Sequence, residues 1–187
     1  MSRATSLSSL SRACKRYGPG RLPKADHRAI GAGYAGASAA VAIATVFAFG
    51  MFGLSQYGPS LETWAIAPFW GFSALVAIPL VLTTAFLAGA LTWQVVPASI
   101  PYAGAVAGLL ATILTYLASL AVVFAILVGV AAADGTASIS AALTEAGVLT
   151  AFIGIFAVVL TAWFTLPLGC VSGAIYERAR DAAPESQ

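Results

Sequence analysis

The chain has 187 residues, 60% of them hydrophobic and 9% charged, too few polar side chains to cover a globule of this size in water. Composition therefore excludes a soluble domain and requires lipid as the solvent. The formal net charge is only +2, but all nine cations (Arg3, Arg12, Lys15, Arg16, Arg21, Lys24, Arg28, Arg178 and Arg180) lie in the two terminal segments. By the positive-inside rule both termini then face the cytoplasm, which requires an even number of crossings.

Residues 1–28 are basic, polar and turn-rich, and cannot bury enough apolar area to fold alone. Lys15, Arg16, Arg21, Lys24 and Arg28 form a cluster beside the first apolar segment. Such a cluster either holds anionic lipid head groups, at about 1 kcal/mol per cation, or simply sets topology. The absence of any acid before Asp26 also permits a transit peptide and a mitochondrial inner membrane, although Gly18, Gly20 and Pro23 interrupt a long amphipathic helix. Cys14 and Cys170 are expected to stay unpaired.

The predicted architecture is all-α: four transmembrane helices in an up-down bundle, followed by a short tail over 177–187. Helix 1 is expected over 30–54, and Tyr57, Gly58 and Pro59 mark an external turn. Between Thr63 and Ala133 about seventy residues pass without an Asp, Glu, Lys, Arg or His, far more than the ~20 needed for one crossing. Pro97 and Pro101 break this run, so it reads as two helices, over 65–96 and 101–133. Trp64, Phe69 and Trp70 are expected at the outer interface and Trp93 at the inner one. An external link over 134–147, part of which reads as a short surface helix, leads to helix 4 over 148–176. Tyr34-Ala35-Gly36-Ala37 is echoed by Tyr102-Ala103-Gly104-Ala105, and the ends of helices 2 and 4 share a Gly-Ala pair. The chain therefore reads either as two repeated hairpins or as a chance echo in an Ala- and Gly-rich sequence.

Small residues four apart recur in each helix: Gly36 and Ala40, Ala85 and Gly89, Gly104 and Gly108, Gly169 and Gly173. Lipid supplies no hydrophobic push between helices, so close backbone approach at such sites is a main source of association energy. All eight fall in the inner half, which predicts a bundle tighter inside than outside. The same faces could instead meet a second copy of the chain.

A second set shares mid-membrane depth: Pro79, Thr83, Thr112, Thr115, Tyr116, Ser119, Thr161 and Trp163, with Thr84 and Thr165 beside them. Thr112, Thr115, Tyr116 and Ser119 lie on one helical face. Tyr and Trp at this depth need hydrogen-bond partners. The layer reads either as interhelical hydroxyl contacts or as a pocket for a small uncharged ligand.

No helix carries the carboxylate, histidine or arginine that ion-coupled transport commonly uses. His27 is the only histidine and has no ligand cluster around it, so no metal, haem or other cofactor is expected and the chain is read as non-enzymatic. No nucleic-acid motif accompanies the basic tail. The loop Asp134-Gly135-Thr136-Ala137-Ser138 and the ending Pro167-Leu168-Gly169, Gly173-Ala174-Ile175-Tyr176-Glu177-Arg178 resemble the small four-span membrane proteins of halophilic archaea. That resemblance implies a prokaryotic plasma membrane and supplies no activity. Three functions follow as expectations, one of them a lipid-binding or membrane-organising role through the cluster from Lys15 to Arg28; the other two are these. The first is an interaction or assembly subunit whose partners are lipids and another membrane protein or a second copy. The second is an oligomeric channel or carrier for a neutral small solute.

Overall fold

The computed structural model describes residues 22–24, 27–57, 61–97, 99–133 and 138–181, with the side chains of 61–66 and 179–181 outside the description. Among the described residues four helices form: α1 (Arg28–Tyr57), α2 (Leu61–Val95), α3 (Ala103–Ala133) and α4 (Ile139–Asp181). Each is long and apolar enough to cross a membrane, and the chain is a multi-pass integral membrane protein built as a helical bundle. At ~1.5 Å per residue, the 30 residues of α1 and the 43 of α4 reach well past a ~30 Å hydrocarbon core. Val46, Phe49, Leu87, Ile126, Val130 and Val159 all point outward and exposed. That surface would be costly in water, at ~25 cal/mol per Å2, but lipid is as apolar as these side chains.

α1 runs on to Tyr57, α2 begins at Leu61 and α4 ends at Asp181, each beyond the expected bounds; two further differences have a local reason. The segment over 140–146 is not a separate surface helix. It is the first part of α4, because the Ser138 hydroxyl accepts from the Ala141 amide at 3.3 Å and its carbonyl from the Ala142 amide at 2.9 Å, a serine N-cap. Gly147 lies in open space within the helix, where a glycine costs about 1 kcal/mol and does not end it. Pro101 is not in a helical first turn. Tyr102 takes a left-handed φ of 63°, so Pro101 and Tyr102 stay in the turn and α3 begins at Ala103.

The helices form two hairpins, α1–α2 and α3–α4, joined by a looser α2–α3 seam and a still looser α1–α4 seam. The start of α1, the Val95–Ala103 turn and the end of α4 share one face, here called basal. Ala32, Trp93, Val96, Ala103 and Ala107 make the buried core at this face, with Tyr176 packed on it. Small residues bring the backbones together. A Cβ on Gly36 would lie 3.2 Å from the Ala85 carbonyl oxygen, and one on Gly89 3.0 Å from that of Ala32. A Cβ on Gly104 would lie 2.5 Å from the Gly173 carbonyl oxygen, and Gly108 meets Gly169 more closely still.

These contacts qualify two expectations. If Gly36 corresponds to Gly104 and Ala85 to Gly169, a repeat would set Gly104 against Gly169. Gly104 instead faces Gly173, one helical turn away. Tyr34 meets Phe86 at a tilt with ring centroids 5.1 Å apart, whereas Tyr102 is exposed. The sequence echo is thus not carried into matching packing. The expected outward widening holds for one hairpin only. α3 and α4 pass from backbone contact at Gly104 to side-chain contact between Gly154 and Leu120. α1 and α2 stay close throughout, since Gly71 meets the Ala48 carbonyl far from the basal face.

Candidate functional site: a cleft between the two hairpins

Three basal side chains tie the helices to one another. Arg28, at the start of α1, places its guanidinium carbon 5.2 Å from the Trp93 ring centroid, a cation–π geometry, and donates from Nη2 to the Val96 carbonyl at 3.2 Å. Tyr176 on α4 meets Trp93 edge to face at 5.0 Å and donates its hydroxyl to the Arg28 carbonyl at 3.1 Å. Glu177 Oε2 accepts from the Gly104 amide at 2.8 Å. A carboxylate from α4 thereby caps the N-terminus of α3, where helix-end amides favour negative charge. Trp93 stands at the basal end of α2 and is 5% exposed, because this cluster encloses it.

Above the cluster, hydroxyls link α3 to its neighbours. Thr161 donates to the Ala157 carbonyl at 2.6 Å, so its oxygen accepts from Tyr116. The Tyr116 oxygen in turn accepts from Thr165 at 2.8 Å. The result is a directed chain from Thr165 through Tyr116 and Thr161 to the α4 backbone. On the other side, Thr84 donates to the Leu80 carbonyl at 3.0 Å and accepts from Ser119 at 2.8 Å. Thr112 and Thr115 donate one turn back, to Gly108 and Ala111.

Between the hairpins runs a cleft of about 430 Å3. One wall is Ala35, Gly36, Ala39, Ala40 and Ala44 of α1, and the facing wall carries the hydroxyls of Thr112, Thr115, Tyr116, Ser119, Thr161 and Thr165. On α2 the lining extends from Trp70 to Trp93, ~35 Å of helix. Each end lies beside an aromatic pair from α2 and α4: Trp70 stacks on Phe156 at 5.6 Å, and Trp93 meets Tyr176. Among the described residues no Asp, Glu, Lys, Arg or His lines it.

Five of the eight expected midplane residues meet here: Thr112, Thr115, Tyr116, Ser119 and Thr161. The other three do not, for geometric reasons. Pro79 and Thr83 lie on the exposed face of α2, where Thr83 donates to the Pro79 carbonyl at 2.9 Å rather than to the one the proline frees. Trp163 is 75% exposed and satisfies its indole N–H on the Leu160 carbonyl of its own helix. Of the small residues, Gly36, Ala40, Ala85, Gly89, Gly108, Gly169 and Gly173 line the cleft and Gly104 lies beneath it. Lys24 is exposed in the turn before α1, Arg28 joins the basal cluster, and Lys15, Arg16 and Arg21 lie outside the described residues. The capping role of Glu177 was not anticipated. The available signal was a carboxylate five residues beyond Ser172, level with an uncapped helix start after Pro101.

No family model, curated protein or solved structure matches this chain.

Proposed function

We propose that the cleft is a membrane-interior binding site for a predominantly apolar molecule, and that the protein carries or holds such a molecule without catalysing a reaction. The observation that carries this reading is the pairing of an Ala- and Gly-lined wall with a hydroxyl-lined one across an interior free of ionisable acids and bases. Ligand sites are typically mostly apolar with a few placed polar groups, in volumes of about 300–1,000 Å3. A formal charge would find no counter-ion along this path and would be expelled. The test is equilibrium binding and vesicle flux of neutral apolar solutes with purified, reconstituted protein. Tyr116→Phe and Ala40→Phe should alter both, and Trp163→Phe neither. Solute binding or flux indifferent to Tyr116 and Ala40 would remove the cleft from the explanation.

In this reading the protein sits in a plasma membrane with both termini cytoplasmic. The confinement of all nine cations to the terminal segments supports that orientation.

Assembly with another membrane protein or a second copy is the other reading, and one observation favours it. The basal turn exposes Val95, Ile100 and Tyr102 with no charged side chain from Gln94 to Pro101. A particle that stays monomeric in mild detergent, with no protein co-purifying, would contradict it.

A further inference from the structure

We infer that the ligand is an anionic amphiphile with a single apolar chain, the chain lying in the cleft and the acidic head group held by Arg28 at its basal mouth. This rests on the reading of the cleft as a binding site and adds the class of molecule.

Shape selects a chain. The lining follows α2 from Trp70 to Trp93, ~35 Å of helix, a length that one extended chain can span and a compact ring system cannot. The walls contain no charge from Trp70 to Trp93, so whatever lies there is apolar along nearly its whole length.

Charge selects the head group. Arg28 stands one helical turn below Ala32, which lines the cleft, and its guanidinium rests on Trp93, which also lines it. Its one side-chain hydrogen bond among the described residues is to the Val96 carbonyl, and its Nε is buried with no partner. A guanidinium with donors to spare among the described residues fits carboxylate or phosphate oxygens, which it binds in a planar, forked geometry. The nearest acid of α4, Glu177, is committed to the Gly104 amide.

Depth and access agree with this placement. Arg28, Trp93 and Tyr176 lie at the basal end of the spans, the level where rings and cations meet lipid head groups. The α1–α4 seam is looser than the α2–α3 seam, and at its base the Tyr176 hydroxyl bridges it to the Arg28 carbonyl. A chain can enter from the bilayer through this seam while its head group stays at the interface.

The test titrates purified full-length protein in neutral detergent with palmitic acid, cetyl alcohol and cetyl phosphate, at a pH where both acids are ionised. The acids should bind about tenfold tighter than the alcohol, the scale of one charge-assisted hydrogen-bonded pair. Their order tells carboxylate from phosphate. Arg28→Gln should bring both acids to the affinity of the alcohol and leave the alcohol unchanged, while Ala40→Phe should weaken all three. Equal affinity for acid and alcohol in the unaltered protein overturns the proposed head-group site and needs no variant to interpret. Failure of all three to bind saturably, or binding indifferent to Ala40→Phe, overturns the cleft reading beneath it.

Discussion

The indole of Trp93 meets the phenol of Tyr176 edge to face at 5.0 Å, joining α2 to α4 across the diagonal of the bundle. Far from the basal face the same two helices meet again, where Trp70 stacks on Phe156. The two pairs are separated by ~30–35 Å of helix, close to the thickness of a hydrocarbon core. Between them the middle is left underfilled: the alanines on α1 give no bulk, and the hydroxyls on α3 and α4 bond sideways to one another. The cleft is the space left when a diagonal is pinned at both ends and underfilled between.

Tyr116→Phe removes one hydroxyl that serves two interhelical bonds, to Thr161 and Thr165. At about 0.6 kcal/mol for each such bond in a membrane, the variant should lose about 1 kcal/mol in a denaturing-detergent titration. Trp163→Phe should stay within about 0.5 kcal/mol of the parent, because its ring faces lipid and its N–H bonds to its own helix. Equal losses for the two would place Trp163 in the interior.

Gly173→Val sets a branched side chain against the Gly104 carbonyl and the Gly108 Cα. Overpacking of this kind costs about 1–3 kcal/mol or more, and α3 should separate from α4, seen as faster exchange of the amides at the start of α3. Gly129→Ala meets nothing within 4 Å and should gain up to about 1 kcal/mol of helix propensity. A neutral Gly173→Val would mean that the α3–α4 backbones are not in contact.

Glu177→Ala leaves the Gly104 amide without its cap. Loss of a helix cap costs about 1 kcal/mol, and hydrogen exchange at Gly104 should accelerate while that of mid-helix amides such as Ala118 does not. Unchanged exchange at Gly104 would break the link between the end of α4 and the start of α3.

The Thr150 hydroxyl is buried and has no hydrogen-bond partner among the described residues. Thr150→Val keeps the shape and removes the unsatisfied group, so it should stabilise the protein by about 1 kcal/mol. Destabilisation of that size would show that the hydroxyl is bonded after all.

The four spans were legible in the sequence because a membrane helix is signalled by its own composition: seventy uncharged residues broken only at Pro97 and Pro101 leave few alternatives. The close contacts at Gly104, Gly108, Gly169 and Gly173 were legible too, since small residues four apart mark where backbones can approach. Which side of a helix faces inward was harder to see. Thr83 and Thr84 are adjacent and chemically alike, yet one bonds within its own helix while the other bonds to Ser119, and helices apolar on every side carry no periodicity to separate them. Depth alone likewise grouped Trp163 with Tyr116. The reach of Glu177 to Gly104 spans 73 residues, and nothing local encodes it.

A structure of the full chain in a lipid nanodisc, at a resolution that resolves side chains, tests the cleft most directly. It should show a chain-shaped feature running between the Trp70–Phe156 and Trp93–Tyr176 pairs, past Tyr116, with Ala40 lining the opposite wall. An interior closed by α1 moving onto α3 and α4, with Phe47, Leu80 and Phe164 filling the space, would contradict it.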